Sequence, residues 1–153
     1  MKKKATRIIG ILLIVIAIIS SFMFVKSSRA YVSVDDSNGI KWNFTISGSN
    51  ATNVYYSSGT LTEKLEIPST LTYGSKTYTV TSIMKKSGSS YVNILPDTIK
   101  RSKIKELVIP DTVNTIGASA FMSCPNLEKV TLGSGIKSIG SSAFSGTQLT
   151  EFI

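Results

Sequence analysis

Hydrophobic residues recur in the C-terminal half of the chain with a period of about 22 residues. Two segments, 104–126 and 127–148, align almost position by position. The paired apolar residues are Ile104 with Leu127, Leu107 with Val130, Ile109 with Leu132, Val113 with Ile136, Ile116 with Ile139, and Phe121 with Phe144. A period in the low twenties with this spacing is typical of a leucine-rich solenoid, in which each repeat forms one coil.

Each position of the repeat has a physical role. Alternating apolar residues in 106–109 predict one short strand per coil. Pro110 ends this strand because proline cannot donate a hydrogen bond to a ladder. Gly117 and Gly140 are expected where the chain reverses sharply and a side chain would crowd the neighbouring coil. Ala120–Phe121 then begin a short helical turn, with the phenyl ring filling the wide end of the coil. Phe121 and Phe144 are expected to be buried and stacked one coil apart.

The segment before these two coils is less regular. A pattern of the type Leu-Pro-Asp-Thr-Ile occurs at 67–71, 95–99 and 109–113, with an echo at 132–136. Thr72–Thr79 predicts a small hairpin around its glycine. After Ile83 the expected Gly-x-x-Ala-Phe is missing, so this coil is expected to bulge into a mobile loop. We therefore divide the repeat region 61–153 into a degenerate part (61–103), a regular part (104–148) and an incomplete repeat (149–153).

Residues 31–60 show a different pattern, with strict alternation of apolar and polar positions. Ile40, Trp42, Phe44 and Ile46 occupy one face, which predicts a half-buried strand. A turn at 48–50 and a returning strand complete an N-terminal β-hairpin region. Trp42 is interpreted as a core residue of this hairpin rather than a ligand-stacking residue.

The first thirty residues predict export. A basic segment precedes eighteen uncharged residues at 8–25, and Ser28-Arg29-Ala30 offers a signal-peptidase site. We expect a signal peptide cleaved before Tyr31. A retained membrane anchor is the alternative, because a helix of this length spans roughly 27 Å, close to the thickness of a hydrocarbon core.

The residues I-P-D-T-V-x-x-I-G-x-x-A-F-x-x-C at 109–124, their echo at 132–144 and the lead-in at 65–83 resemble the BspA-type leucine-rich repeats of bacterial surface proteins. The resemblance covers about 61–153. It implies a β-rich solenoid of leucine-rich repeats of about 22–23 residues with short helical turns. It also implies adhesion or binding of host or matrix proteins.

Composition narrows the range of functions. The formal charge is +8, but six of the seventeen basic residues lie in the first thirty positions, which leaves 11 basic and 9 acidic residues. A nearly neutral domain does not favour a nucleic-acid partner. The chain has no histidine and one cysteine, Cys124, so Ser-His and Cys-His nucleophile pairs are excluded. Cys124 is interpreted as a core thiol.

Few other residues are candidates for chemistry. Asp35–Asp36 match no complete calcium loop and predict a solvated turn. The basic groups Lys85–Lys86 and Lys100–Lys103 predict solvated loops, or contact with anionic wall polymers or lipid headgroups. We predict no catalytic, cofactor-binding or metal-binding residue, and no cofactor.

The predicted function is that of an extracellular or cell-surface binding module, adhesin-like, for host, matrix or cell-wall components, and not that of an enzyme. A structural spacer, or a fragment of a larger surface protein, is the alternative. A membrane is expected to be contacted only through residues 1–30, if these are retained. The last repeat stops before any polar capping coil, which predicts either further repeats or self-association through this end.

Overall fold

The computed structural model describes residues 31–153, and the predicted signal peptide or anchor at 1–30 lies outside them. The N-terminal part is an antiparallel sheet of three strands: β1 (Val32–Asp35), β2 (Lys41–Ser47) and β3 (Asn50–Ser58). Ile40, Trp42 and Phe44 are buried on one face, as the alternation predicts, whereas Ile46 is partly exposed near the end of β2. Trp42 is therefore a core residue.

The first coil of the solenoid follows directly. It contains β4 (Lys64–Glu66), β5 (Thr70–Tyr73), β6 (Lys76–Val80) and β7 (Ser82–Ile83). Strands β5 and β6 form the predicted hairpin, with Gly74 at a positive φ of 62° in its turn. Strands β6 and β7 both pair with β3 in parallel. The N-terminal sheet and the first coil thus share one hydrogen-bonded ladder.

A compact insertion then replaces the loop that the sequence predicts. Its elements are β8 (Lys85–Ser87), β9 (Ser90–Val92) and one helix, α1 (Thr98–Lys103). Strands β8 and β9 form a two-stranded antiparallel sheet of their own. We refer to residues 84–103 as the insert.

Two regular coils complete the structure, with the strands β10 (Glu106–Val108), β11 (Thr115–Ile116), β12 (Lys129–Thr131), β13 (Ser138–Ile139) and β14 (Glu151–Phe152). One parallel sheet has the order β14-β12-β10-β4, and a second ladder joins β7, β11 and β13. In the first sheet Leu107 lies opposite Val130, and Val130 lies opposite Phe152. This is the register that the aligned repeats predict, and the β-rich solenoid is confirmed.

The core runs through the coils as a stack of equivalent side chains. Leu65, Leu107 and Val130 are fully buried in successive coils. The rings of Phe121 and Phe144 lie 5.5 Å apart and almost parallel, at 6°. Phe121 is fully buried, but Phe144 is only half-buried, which differs from the expectation that both rings are buried. Burying such side chains supplies the main favourable free energy of this fold.

The repeated glycines and turns depart from one detail of the prediction. A Cβ on Gly140 would lie 2.3 Å from Ala118 N, and one on Gly117 would lie 2.4 Å from Met84 Cβ. The crowding by the neighbouring coil is therefore as expected. The left-handed conformations lie instead at Ser119 and Ser142, with φ of 57° and 55°. The predicted helical turn is a series of single hydrogen-bonded turns, such as Met122 N to Ser119 O.

No helix within residues 31–153 is long and apolar enough to cross a membrane.

Candidate binding surface

The outer face of the solenoid sheet carries a row of side chains with alternating charges. Strands β4, β10, β12 and β14 place four residues side by side: Lys64, Glu106, Lys129 and Glu151. Opposite charges on neighbouring strands attract one another, so this arrangement favours the observed register.

Ion pairs link many of these charges. Lys129 Nζ lies 3.3 Å from a Glu151 oxygen, and Lys64 Nζ lies 2.6 Å from a Glu66 oxygen. The hydrogen bond to Glu66, and then its charge, raise the pKa of Lys64. Such exposed pairs contribute little to stability. These pairs balance the charge of the sheet, so its outer face attracts a charged partner only weakly.

The insert is anchored to the coil by a residue that takes the place of the repeated phenylalanine. Ile94 N donates to Ala120 O at 2.9 Å, just as Phe121 N donates to Ala143 O at 2.8 Å one coil later. Ile94 is fully buried. The missing Ala-Phe is therefore replaced by Asn93–Ile94, six residues further along the chain than the repeat spacing after Ile83 predicts.

Asn93 fixes this anchor with its side chain, which is buried. Its amide nitrogen donates to Met122 O, and its oxygen accepts from Leu95 N at 2.8 Å. Because a buried amide needs such partners, Asn93 determines how the chain leaves the core toward α1.

The segment Leu95–Ile99 resembles Ile109–Val113 in sequence but differs from it in structure. Asp97 is the N-cap of α1, and its Oδ1 accepts from Lys100 N at 2.8 Å. The helix turns Ile99 outward, where it is 81 % exposed, whereas Val113 is buried. This copy of the pattern starts a helix and does not form a coil.

The insert concentrates positive charge. It contains five cations, Lys85, Lys86, Lys100, Arg101 and Lys103, and one carboxylate, Asp97. Within residues 31–153, none of these five forms an ion pair with a carboxylate. The insert thus carries a formal charge of +4, while the remainder of residues 31–153 carries −2.

Aromatic rings accompany these cations. Lys86 Nζ lies 4.8 Å from the centroid of the Tyr91 ring, and Lys85 Nζ lies 5.3 Å from that of Tyr55. The edge of Tyr31 packs against Tyr55, with centroids 5.1 Å apart. Cation–π contacts of this kind hold flexible lysines close to the surface. Tyr91 remains 41 % exposed.

An open cleft of about 280 Å³ lies between the β8–β9 hairpin and α1. We call it the insert cleft. Its lining residues are Lys85, Tyr91, Val92, Asn93, Leu95, Pro96, Arg101 and Met122. Lys85 comes from the hairpin and Arg101 from the helix, so two basic groups that are sixteen positions apart meet at one site.

Asp36, the second residue of the aspartate pair, has a structural role. Asp36 Oδ1 accepts from the backbone N–H groups of Asn38 and Ile40, at 2.8 and 3.0 Å, and its Oδ2 accepts from Trp42 Nε1 at 2.8 Å. Both carboxylate oxygens are therefore engaged in closing the β1–β2 turn. No group of three or more potential metal ligands occurs within residues 31–153.

Cys124 is fully buried, and burial raises its pKa to about 11. A thiol in this state is a poor nucleophile at neutral pH, because the thiolate is the reactive form. Its position in the core agrees with the interpretation as a packing residue.

Comparison with known protein families supports the assignment of the coils as leucine-rich repeats. The family model for the BspA type leucine rich repeat region (6 copies) matches residues 92–153. Residues 92–153 thus match the BspA-type leucine-rich repeats that the sequence resembles. A comparison with the curated proteins gave no match.

Solved structures with similar folds support the solenoid architecture. A leucine-rich cell surface protein from Faecalibacterium prausnitzii is 25% identical, with a TM-score of 0.60 over 82% of this chain and 31% of its own. A leucine-rich repeat protein from Bacteroides capillosus is 25% identical, with a TM-score of 0.55 over 73% of each chain. The pneumococcal vaccine antigen PcpA, at 20% identity, has a TM-score of 0.52 over 80% of this chain and 32% of its own. This chain thus spans about a third of the length of the Faecalibacterium prausnitzii protein and of PcpA.

The BspA-type match also divides the insert. It begins at Val92, so Lys85, Lys86 and Tyr91 precede it and Arg101 lies within it. The sequence identified both basic groups, but it gave no sign that Tyr91 and Tyr55 accompany them. The local signal for β9 is weak: Gly88 suits a turn, and the β-formers Tyr91 and Val92 follow it.

Proposed function

We propose that this protein is an adhesin-like binding module of the cell surface, which attaches to host, matrix or cell-wall components through the insert cleft. The observation that carries the proposal is the segregation of charge. The solenoid sheet pairs its own charges, whereas the insert carries five cations, and two of them, Lys85 and Arg101, line one cleft together with the exposed Tyr91.

Two further arguments support a surface location. The basic and apolar pattern of residues 1–30 predicts export. The similar repeat protein from Faecalibacterium prausnitzii is described as a cell surface protein.

Binding without catalysis is the simpler function for these residues. The Cys124 thiol is held in the core, both oxygens of Asp36 are hydrogen-bonded, and the chain has no histidine. The insert cleft offers cations, an amide and apolar side chains, which recognise a partner but do not supply a general base.

A retention experiment tests the proposal. The full chain and the unit 31–153 are incubated with insoluble cell-wall and extracellular-matrix preparations, and the retained fraction is measured. We expect the double variant Lys85→Gln/Lys86→Gln to lose most of its retention, because it lacks two of the five cations of the insert. The control Lys76→Gln/Lys137→Gln removes the same charge from exposed positions outside the insert and should be retained like the unmodified protein.

Equal retention of both double variants would contradict binding through the insert. No retention of any form on either material would favour a structural spacer, which positions other parts of a surface protein and does not itself bind.

A further inference from the structure

We infer that the insert cleft binds an acidic polysaccharide, with Lys85, Lys86 and Arg101 pairing with its carboxylate or sulfate groups and Tyr91 packing against a sugar ring. This inference rests on the proposed function and specifies its partner.

The sign of the charge indicates an anionic ligand. Lys85 and Arg101 line the cleft from opposite elements, and Lys86 lies beside Tyr91 on the same hairpin. Asp97, the one carboxylate of the insert, is occupied as the N-cap of α1. Arg101 uses its Nε to donate to Asp97 O at 3.2 Å, and the structure gives its two terminal NH₂ groups no partner among residues 31–153. A guanidinium with free terminal nitrogens suits a carboxylate or sulfate.

The shape of the cleft indicates an extended ligand. At about 280 Å³ the cleft is open, and Lys85, Lys86 and Arg101 are all at least partly exposed. A small free anion would remain largely hydrated there. A polymer can instead pass along the cleft and contact several cations at once, and each additional contact then forms within the same complex.

The remaining lining favours sugar over a purely ionic partner. Tyr91, Val92, Leu95, Pro96 and Met122 provide apolar contact between the cations. A sugar ring has apolar C–H faces and polar edges, so it can pack on a tyrosine while its substituents meet the charges. A nucleic acid calls for a broad positive surface, and the residues outside the insert carry a net negative charge.

The chain offers a closely matched control for this surface. The β8–β9 hairpin places Lys86 opposite Tyr91, and the β5–β6 hairpin places Lys76 opposite Tyr73. Tyr73 is 52 % exposed, so both hairpins display a lysine–tyrosine pair to solvent. Only the first pair adjoins the insert cleft.

The experiment measures binding of the unit 31–153, alongside the full chain, to immobilised polygalacturonate and to neutral dextran. The unit has its own core, and a cooperative unfolding transition recorded for every variant verifies its folding. We expect binding to polygalacturonate only, weakened at least about tenfold by Lys86→Gln/Tyr91→Ala, the factor that corresponds to the loss of one good contact. The control Lys76→Gln/Tyr73→Ala should bind like the unmodified protein. Binding should also weaken as salt is raised, since the contacts are exposed.

Separate arms distinguish other anionic partners. Phosphatidylglycerol vesicles and single-stranded DNA are tested with the same variants. Equal or tighter binding to either would overturn the inference, because it would show a lipid surface or a polyanion of another class. So would equal weakening by the two hairpin variants, or no binding to polygalacturonate. In that last case, retention on wall or matrix material that still depends on Lys85 and Lys86 would leave the proposed function standing with a different partner.

Discussion

Replacing Phe121 by alanine tests the stacked core of the solenoid. Phe121 is fully buried in the middle coil, and its ring lies 5.5 Å from that of Phe144 in the next coil. The change removes the buried ring and leaves a cavity between two coils. Because each coil depends on its neighbours to cover its open faces, the surrounding chain can collapse only partly into this space.

The expected loss of unfolding free energy can be compared with the total stability of the domain. The lost burial of the phenyl ring and the cavity that remains together lower the unfolding free energy by about 3–5 kcal/mol for Phe→Ala. A domain of this size has a total stability of about 5–15 kcal/mol. The variant should therefore lose about a fifth or more of its unfolding free energy, with a fall in the melting temperature of roughly 10–20 °C.

The measurement is urea unfolding of residues 31–153, followed both by circular dichroism and by fluorescence of Trp42, the single tryptophan. Since β3 pairs with β7, the N-terminal sheet and the coils share a ladder, and both signals should shift together. The control Phe144→Ala removes a half-buried ring from the last complete coil and should cost clearly less. An unchanged midpoint for Phe121→Ala, or an equal loss for Phe144→Ala, would refute the assigned stacking.

Three further predictions concern single positions. Gly140→Ala should destabilise by about 1–3 kcal/mol, since the added methyl group would meet Ala118 N; a midpoint as high as that of the unmodified protein would contradict this close approach. Asp36→Asn should cost about 1–3 kcal/mol and alter the fluorescence of Trp42, because one oxygen cannot serve all three donors; an unchanged spectrum and stability would exclude the contact. Burial raises the pKa of Cys124 from 9.0 to about 11, so its contribution to stability is complete below pH 9 and is lost as pH rises through 11. The difference in unfolding free energy between the unmodified protein and Cys124→Ala should change over this interval, and a constant difference from pH 8 to 11 would contradict it.

The regular coils could be predicted from the sequence because their signal is periodic. Leu107, Val130 and Phe152 occupy equivalent positions in the repeat, and they lie side by side in the parallel sheet. A period of this kind is repeated in every coil, so single deviations do not hide it. The alternation of β2 is equally informative, since each position faces either the core or the solvent.

The insert could not be predicted in the same way. Leu95–Ile99 has nearly the same residue types as Ile109–Val113, but local sequence does not determine whether an aspartate follows a strand or caps a helix. Here Asn93 and Ile94 fill the space next to Ala120, and Asp97 is then free to cap α1. Packing between coils decides the outcome, and a single sequence does not reveal which residue takes the place of the missing phenylalanine.

The candidate site shows the same division. The two basic groups are visible in the sequence, but their meeting at one cleft depends on the hairpin and the helix flanking the same anchor. The sequence does not indicate which tyrosines lie at the site, because it does not distinguish an exposed tyrosine from a buried one. Tyr56 is buried and Tyr91 is exposed, and only the fold separates them.

The way in which the insert joins the solenoid separates the stability of the fold from the proposed binding surface. Hydrogen bonds to the next coil continue on both sides of the β8–β9 hairpin. Gly117 N donates to Ile83 O at 2.8 Å just before the hairpin, and Ile94 N donates to Ala120 O at 2.9 Å just after it. Between these two bonds the β8–β9 hairpin forms its own hydrogen bonds and adds no fully buried side chain. Since the core does not depend on the hairpin, its charged and aromatic residues can be exchanged at little cost in folding free energy. If the insert binds as proposed, the coils support the hairpin, and the residues of the hairpin can change the binding specificity independently of the fold.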